Sequence, residues 1–191
     1  MVIVGFSGKK GSGKSTLSQA LARDFDGAVF SFADVLKEHC QELFGLTCEQ
    51  CYGTEEHKNS PTKIRWWDMA DFPPGSQRSG TFMTAREVLQ YYGTQIIRRI
   101  NPNAWVEATM RRIDDMEGLY EHVFIQDVRY ANEVEAIQSR GGKVIRLTRH
   151  PYHADNHSSE IALDTYTGFD AILDNAVLSE QDSILAVRNL L

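Results

Sequence analysis

Short apolar runs recur along the chain, with amphipathic stretches between them. Residues 2–6, 29–32, 122–127, 143–148 and 169–173 have the length and the β-branched or aromatic content of buried strands, the last being the weakest. The intervening stretches have helical periodicity. Residues 14–25 form the first helix, and 33–44 the second, with Val35, Leu36 and Leu43 on one side. Thr84 is placed as an N-cap with Glu87 completing a capping box, which predicts a helix to about Arg99. Asn101-Pro102 starts the next helix, with Asn as cap and Pro at the first helical position, and it ends near Gly118. Residues 130–140 form a helix closed by Gly141-Gly142, and 179–191 a final amphipathic helix. Strands alternating with helices imply a parallel sheet covered on both faces. Ligands of such sheets bind beyond the carboxyl ends of the strands. That rule gathers residues 8–15, 32–37, 127–132 and 149–160 around one cleft.

Residues 45–82 break the pattern. Gly, Pro, Ser, Thr and charged residues surround Trp66-Trp67, and Pro73-Pro74-Gly75 is a strong breaker. Plain loop of that length is unusual, so the segment is expected to be an insertion or mobile arm on a single domain spanning 1–191. A second polar stretch, 149–159, is expected to act as a lid.

Composition narrows the class without naming a function. The chain has 191 residues, is 42% apolar and 24% charged, and carries a formal charge of −6. It is large enough for one well-buried core. The acidic balance argues against a broad grip on nucleic acid. No apolar run approaches the roughly 18 residues of a membrane span, and the N-terminus has no signal-peptide pattern, so a cytoplasmic location is expected. Cys40, Cys48 and Cys51 lie near His39 and His57, and Cys48 and Cys51 have CxxC spacing. Scattered thiols in a variable insert are preferred over a Zn²⁺ site, and an odd count of thiols in a reducing compartment makes disulfides unexpected.

The candidate chemistry begins at residues 8–15, Gly-Lys-Lys-Gly-Ser-Gly-Lys-Ser, directly after the first strand. This is the G-x-x-x-x-G-K-[ST] phosphate loop in its required strand–loop–helix setting. Glycines let successive N–H groups turn toward an anion. Lys14 can reach β- and γ-phosphates, the Ser15 hydroxyl can join a Mg²⁺ shell, and the following helix aims its positive end at the same place. Gly8, Lys10, Gly11, Ser12, Gly13, Lys14, Ser15 and Thr16 are therefore expected to bind the triphosphate.

Asp127 ends an apolar strand, where a carboxylate beside a phosphate loop usually holds Mg²⁺ directly or through water. Arg129 follows two residues later and could grip a second anion. Arg86, Gln90 and Thr94 are four apart, which puts them on one helix face, and Arg98 continues the row. Arginine forks match phosphate oxygens, and a glutamine amide can read a base edge.

Several longer motifs occur in order with the phosphate loop. They are Ser31-Phe32-Ala33-Asp34-Val35-Leu36-Lys37, the stretch from Met83-Thr84-Ala85-Arg86 to Tyr92-Gly93-Thr94, Asn101-Pro102-Asn103-Ala104-Trp105-Val106, and Asp127-Val128-Arg129-Tyr130-Ala131-Asn132-Glu133. Together they resemble the phage deoxynucleoside monophosphate kinase family, from Val2 to about Leu185. Arg149 followed by His157-Ser158-Ser159-Glu160 is similar to that family's lid-like segment. The resemblance implies an α/β, three-layer P-loop kinase fold with a parallel five-stranded sheet, an inserted arm and a lid. It also implies transfer of the γ-phosphoryl of ATP to a deoxynucleoside 5′-monophosphate with Mg²⁺, in host cytoplasm if the gene is a phage's. Phe32, Asp34, Lys37, Arg86, Gln90, Trp105, Asp127 and Arg129 would line the acceptor side, with Asn132, Arg98, Arg65 and Trp66 as further contacts. Arg149 would approach the donor or the transferring group. Lys14, Arg86, Arg129, Asp127 and Arg149 would carry catalysis, and Ser15 and Asp127 the metal.

Other readings compete. A kinase of another phosphorylated metabolite, or of a modified base in DNA, keeps the same donor loop. A GTPase switch would need an [NT]-K-x-D motif, which the chain lacks, and a non-catalytic ATP-binding module would not need the acceptor-side arginines. The accepted base and the oligomeric state are left open, a homodimer included.

Overall fold

The computed structural model describes residues 1–69, 80–151 and 157–191. In chain order the elements are β1 (Val2–Ser7), α1 (Lys14–Asp24), β2 (Ala28–Phe30), α2 (Ala33–Phe44), α3 (Cys48–Tyr52), α4 (Glu55–Lys58), β3 (Pro61–Arg65), β4 (Phe82–Thr84) and α5 (Ala85–Gln90). There follow α6 (Arg98–Ile100), α7 (Ala104–Asp114), β5 (His122–Val128), α8 (Ala131–Gln138), β6 (Lys143–Leu147), α9 (Ser158–Ile161), β7 (Ala171–Leu173) and α10 (Glu180–Arg188). A 3₁₀ turn covers Trp66–Asp68, and Tyr91–Ile97 is wound as a π-helix that joins α5 to α6. The chain divides into two compact units, 1–32 with 106–191, and 33–105.

The first unit is built on a five-stranded sheet in the order β2-β5-β1-β6-β7, and each pairing in it is parallel. Successive side chains of a strand point to opposite faces, and here both faces are buried. Ile3, Val123, Ile125 and Val144 pack with Val106, Met110 and Ile113 of α7 and Val134 and Ile137 of α8. Val4, Phe6, Phe124, Ile145 and Leu147 pack on the opposite side with Leu17 and Leu21 of α1 and Val187 of α10. The expected three-layer arrangement is present. Most strand and helix ends fall within three residues of the sequence reading; α7 differs more, starting at Ala104 rather than with Pro102 in its first position and ending at Asp114, four residues short of Gly118.

The second unit holds a separate core of Cys40, Leu46, Cys51, Met83, Ala85 and Val88. Both buried thiols belong to that core, and burial pushes Cys40 up to about 12, which keeps it protonated. The segment 45–82 lies within this unit and carries more regular structure than the plain sequence suggested. Thr47 and Thr54 each cap a short helix through a capping box, with Gln50 and His57 at the third helical position. β3 and β4 pair antiparallel, Pro61 opposite Thr84 and Arg65 opposite Phe82. The Pro73-Pro74-Gly75 breaker lies outside the described residues, as do residues 152–156 of the expected lid.

The helix predicted from Thr84 is present, with the capping box formed as expected: Glu87 N–H donates to Thr84 Oγ1 and Thr84 N–H to Glu87 Oε2. Its π-helical middle was not foreseen. Gly93 sits there because a Cβ would stand 2.7 Å from Leu36 Cδ2. The Gly93 carbonyl accepts the Arg98 N–H five residues on, and the Trp105 indole Nε1–H at 3.1 Å. The four-residue spacing holds from Arg86 to Gln90 on α5. Arg98, just beyond the π stretch, donates to the Pro102 carbonyl at 3.2 Å.

Candidate active site

The phosphate loop joins β1 to α1 within the first unit. Gly13, the N-cap of α1, has φ of +95°, which a side chain would strain. Ser12 N–H closes the loop on the Lys9 carbonyl at 3.1 Å. Lys14 is buried and its ammonium is turned back into the loop, donating to the Gly8 and Lys9 carbonyls at 2.8 Å each and to Ser12 Oγ at 3.3 Å. Burial pushes this lysine down to about 7; Arg129 pushes it further, and Glu160 and Asp127 oppose the shift. A cation this reluctant to carry its charge gains from an arriving polyphosphate. Ser15 and Thr16 are exposed on the first turn of α1.

Asp127 is the penultimate residue of β5. Ser31 Oγ donates to Oδ2 at 2.5 Å and Phe32 N–H to Oδ1 at 2.7 Å, which ties the end of β5 to the end of β2. Capping falls to Glu133, a buried residue the motif reading passed over. Its Oε2 accepts Arg129 N–H at 2.6 Å and Tyr130 N–H at 3.1 Å, fixing the turn that presents Arg129. An acidic residue three positions into a helix was the available signal. The Arg129 guanidinium pairs with Glu160, whose other carboxylate oxygen accepts Lys10 N–H of the phosphate loop at 3.3 Å. Arg129 thus shares a carboxylate with the donor loop. Asn132 is half-buried in the first turn of α8.

Asn175 has no counterpart in the sequence reading. Its Nδ2 donates to the Ser12 carbonyl at 2.7 Å, and its Oδ1 accepts Arg149 N–H at 3.0 Å. It joins the loop backbone to the end of β6, and Arg149 itself is exposed. Nothing in the local pattern marks an asparagine for this. Phe32, expected as a stacking surface, is 3% exposed and packed in the core with Val106 and Met110.

In the second unit, Arg86 is half-buried and held by Glu55 Oε2 at 2.7 Å and Asn59 Oδ1 at 3.2 Å. Gln90 is half-buried at the end of the same helix. Lys37 lies 3.6 Å from Asp34 and over the Tyr52 ring at 4.3 Å. Trp105 is 5% exposed, edge-on to His39, and spends its indole N–H on Gly93. Trp66 turns inward against Tyr91 at 6.4 Å, while the exposed Trp67 and Phe82 flank the Arg65 guanidinium at 5.1 and 5.3 Å. Of the tryptophan pair, Trp67 presents the open ring.

A sequence profile described as deoxynucleotide monophosphate kinase matches residues 74–183. A protein of Acanthamoeba polyphaga mimivirus, named "Putative deoxynucleotide monophosphate kinase", is 34% identical over 191 residues, covering 92% of this chain and 89% of that protein. The chain belongs to the deoxynucleotide monophosphate kinase family. Its fold is similar to that of shikimate kinase from Aquifex aeolicus, with a TM-score of 0.50, 11% identity, and coverage of 99% of this chain and 95% of that one. That likeness concerns the fold alone: the α/β architecture of a P-loop kinase, with the family's phosphate loop between β1 and α1. The family profile spans Arg86, Gln90, Trp105, Asp127, Arg129 and Arg149, and the identity to the mimivirus relative extends over most of the remainder. No helix among the described residues is long and apolar enough to cross a membrane.

Hard oxygen donors suit Mg²⁺, which usually keeps several waters and substrate phosphates in its shell. Ser15 Oγ is exposed beside Lys14, whereas both Asp127 oxygens already accept hydrogen bonds. Ser15 and Asp127 supply the hard oxygens that would hold a Mg²⁺–triphosphate.

Proposed function

We propose that this chain transfers the γ-phosphoryl group of ATP to a deoxynucleoside 5′-monophosphate, giving ADP and the diphosphate. The observation that carries the reading is Lys14, buried among loop carbonyls with its pKa pushed down to about 7, by burial first and then by the Arg129 cation. Such a site is built for an anion of high charge. Residues Gly8 to Thr16 take the triphosphate. Mg²⁺, when bound, neutralises charge on the β- and γ-phosphates.

An oxygen of the acceptor phosphate attacks the γ-phosphorus, the β–γ bridging bond breaks, and its electron pair leaves with ADP. The attacking oxygen is already anionic, so no strong general base is needed. Lys14 and Arg129 neutralise the charge that spreads over the transferring group. Arg86 takes the acceptor phosphate, and Gln90 offers a donor and an acceptor to the base edge. Asp34, Lys37 and Asn132 complete the recognition. Phe32 and Trp105 act by packing, and Arg65 with Trp67 is the accessible aromatic–guanidinium pair of the second unit. A cytoplasmic setting with free thiols suits this chemistry.

The test is a coupled assay of ADP release with Mg-ATP and every common dNMP and NMP. At least one dNMP should be converted to its diphosphate. Turnover of a non-nucleotide acceptor with none of the dNMPs would overturn the reading, as would turnover of nucleotides within duplex DNA alone.

A further inference from the structure

Arg146 stands at the carboxyl end of β6, in register beside Ser7, the last residue of β1 before the phosphate loop. Strand ends of a parallel sheet are where ligands bind, and this one adjoins the donor loop. Its neighbours in β6, Ile145 and Leu147, are buried in the core, so the backbone that carries Arg146 is fixed. The guanidinium is fixed as well. Nη1 donates to Ser7 Oγ at 2.9 Å, and the Phe169 ring lies 5.6 Å away. Nη2 is 3.5 Å from Asp164, whose oxygen also pairs with Lys9 of the loop.

This is an awkward place for a purely structural charge. Lys14, Arg129 and Arg146 repel one another, and burial disfavours the Arg146 cation. The carboxylates that offset them are Asp127 of β5, which faces Lys14, Glu160, shared between Arg129 and the Lys10 N–H, and Asp164, shared between Lys9 and Arg146 at longer range. Glu160 lies in α9 and Asp164 three residues beyond its end, both off the sheet. Cations crowded at the ends of β5 and β6 and the start of α1, two of them paired with carboxylates from outside the sheet, match a phosphoryl site whose anions are replaced by protein side chains until substrate arrives.

We propose that Arg146 is a further phosphoryl-binding arginine of the reaction, and that Asp164 holds its place until the polyphosphate displaces it. This rests on the phosphoryl-transfer reading above. Arg146 exchanges no proton. It places its two-pronged donor face on oxygens of the triphosphate while the bond to the acceptor forms and the β–γ bridge breaks.

The test separates this role from bracing of the sheet. Inorganic tripolyphosphate is titrated calorimetrically into the full chain and into Arg146→Gln, Arg146→Lys, Asp164→Asn and Ser7→Ala. Arg146→Gln should bind it at least tenfold more weakly with its unfolding midpoint near the parent's, and Lys should not restore the loss fully. Asp164→Asn should bind at least threefold more tightly. Ser7→Ala removes the hydrogen bond but not the guanidinium, and should stay within threefold. Unchanged affinity in Arg146→Gln overturns the proposal. So does a loss of affinity in Ser7→Ala equal to that in Arg146→Gln, which marks a brace. If Arg146→Gln fails to fold, Asp164→Asn decides, and unaltered or weaker binding there counts against the proposal. The probe has no acceptor, so these results stand apart from the dNMP panel.

Discussion

The Lys14 ammonium donates to the Gly8 carbonyl at 2.8 Å, so the residue that must meet a phosphate is hydrogen-bonded to its own loop. On the proposed reading, substrate binding exchanges those carbonyl acceptors for phosphate oxygens. Lys14→Ala should lower kcat by at least about 10²-fold, the usual cost of losing a preorganised charge at a reacting phosphoryl group. Its circular dichroism should remain that of the folded protein. A purified variant with near-parental kcat would remove the loop from the mechanism.

The same burial has a consequence for stability. The folded protein depresses Lys14 to about 7 from an ordinary 10.5, so between these values the unfolded chain holds a proton that the folded one lacks. Stability from this group is lowest below about pH 7 and rises as pH climbs toward 10.5. Lys14→Met lacks the group. Its melting temperature relative to the parent should therefore be most favourable near pH 6 and should decline by at least about 3 °C toward pH 9, the equivalent of about 1 kcal/mol at this size. Thermal melts of both proteins across that range check it, and a difference that is flat or of opposite slope would contradict the suppressed charge.

The legible parts of the sequence were those set by local rules. The phosphate loop is contiguous, the strands are short apolar runs, and Thr84 with Glu87 forms the box their spacing announces. Other features depend on distant partners. Asn175 reaches the loop from after β7, Asp164 reaches Lys9 and Arg146, and Glu133 is recognisable as a cap only once the turn at Arg129 is known. The π-helical stretch escapes periodicity because the residues around it come from elsewhere in the chain: a Cβ at Gly93 would meet Leu36, and the Gly93 carbonyl accepts the Trp105 indole N–H. Aromatic residues were the least readable: Phe32 and Trp105 have the chemistry of stacking surfaces and the burial of core.

Arg86 and Arg129 were both expected to serve the acceptor, and their surroundings now separate them. Arg86 is held by Glu55 and Asn59, whereas Arg129 shares Glu160 with the Lys10 amide. Arg86→Ala should raise the dNMP KM at least tenfold with ATP affinity within a few-fold. Arg129→Ala should lower kcat by about 10²-fold with a smaller change in dNMP KM. Steady-state kinetics with either substrate varied, plus ATP binding at equilibrium, check the division. Identical defects in the two variants would argue that both arginines hold the same phosphate.

Trp105 tests whether burial outweighs chemical aptitude. Its ring is nearly inaccessible, edge-on to His39 and tilted against Tyr92 at 6.4 Å, and its N–H secures the π turn through Gly93. Trp105→Leu removes the aromatic face, some packing volume and that hydrogen bond, which together should cost about 2–4 kcal/mol of stability. At a temperature where the variant remains folded, the dNMP KM should stay within about threefold of the parent's. Denaturant unfolding and initial-rate kinetics on one preparation give both values. A tenfold rise in KM at unchanged stability would return Trp105 to the substrate, because a ring whose loss leaves the fold untouched cannot be serving as packing.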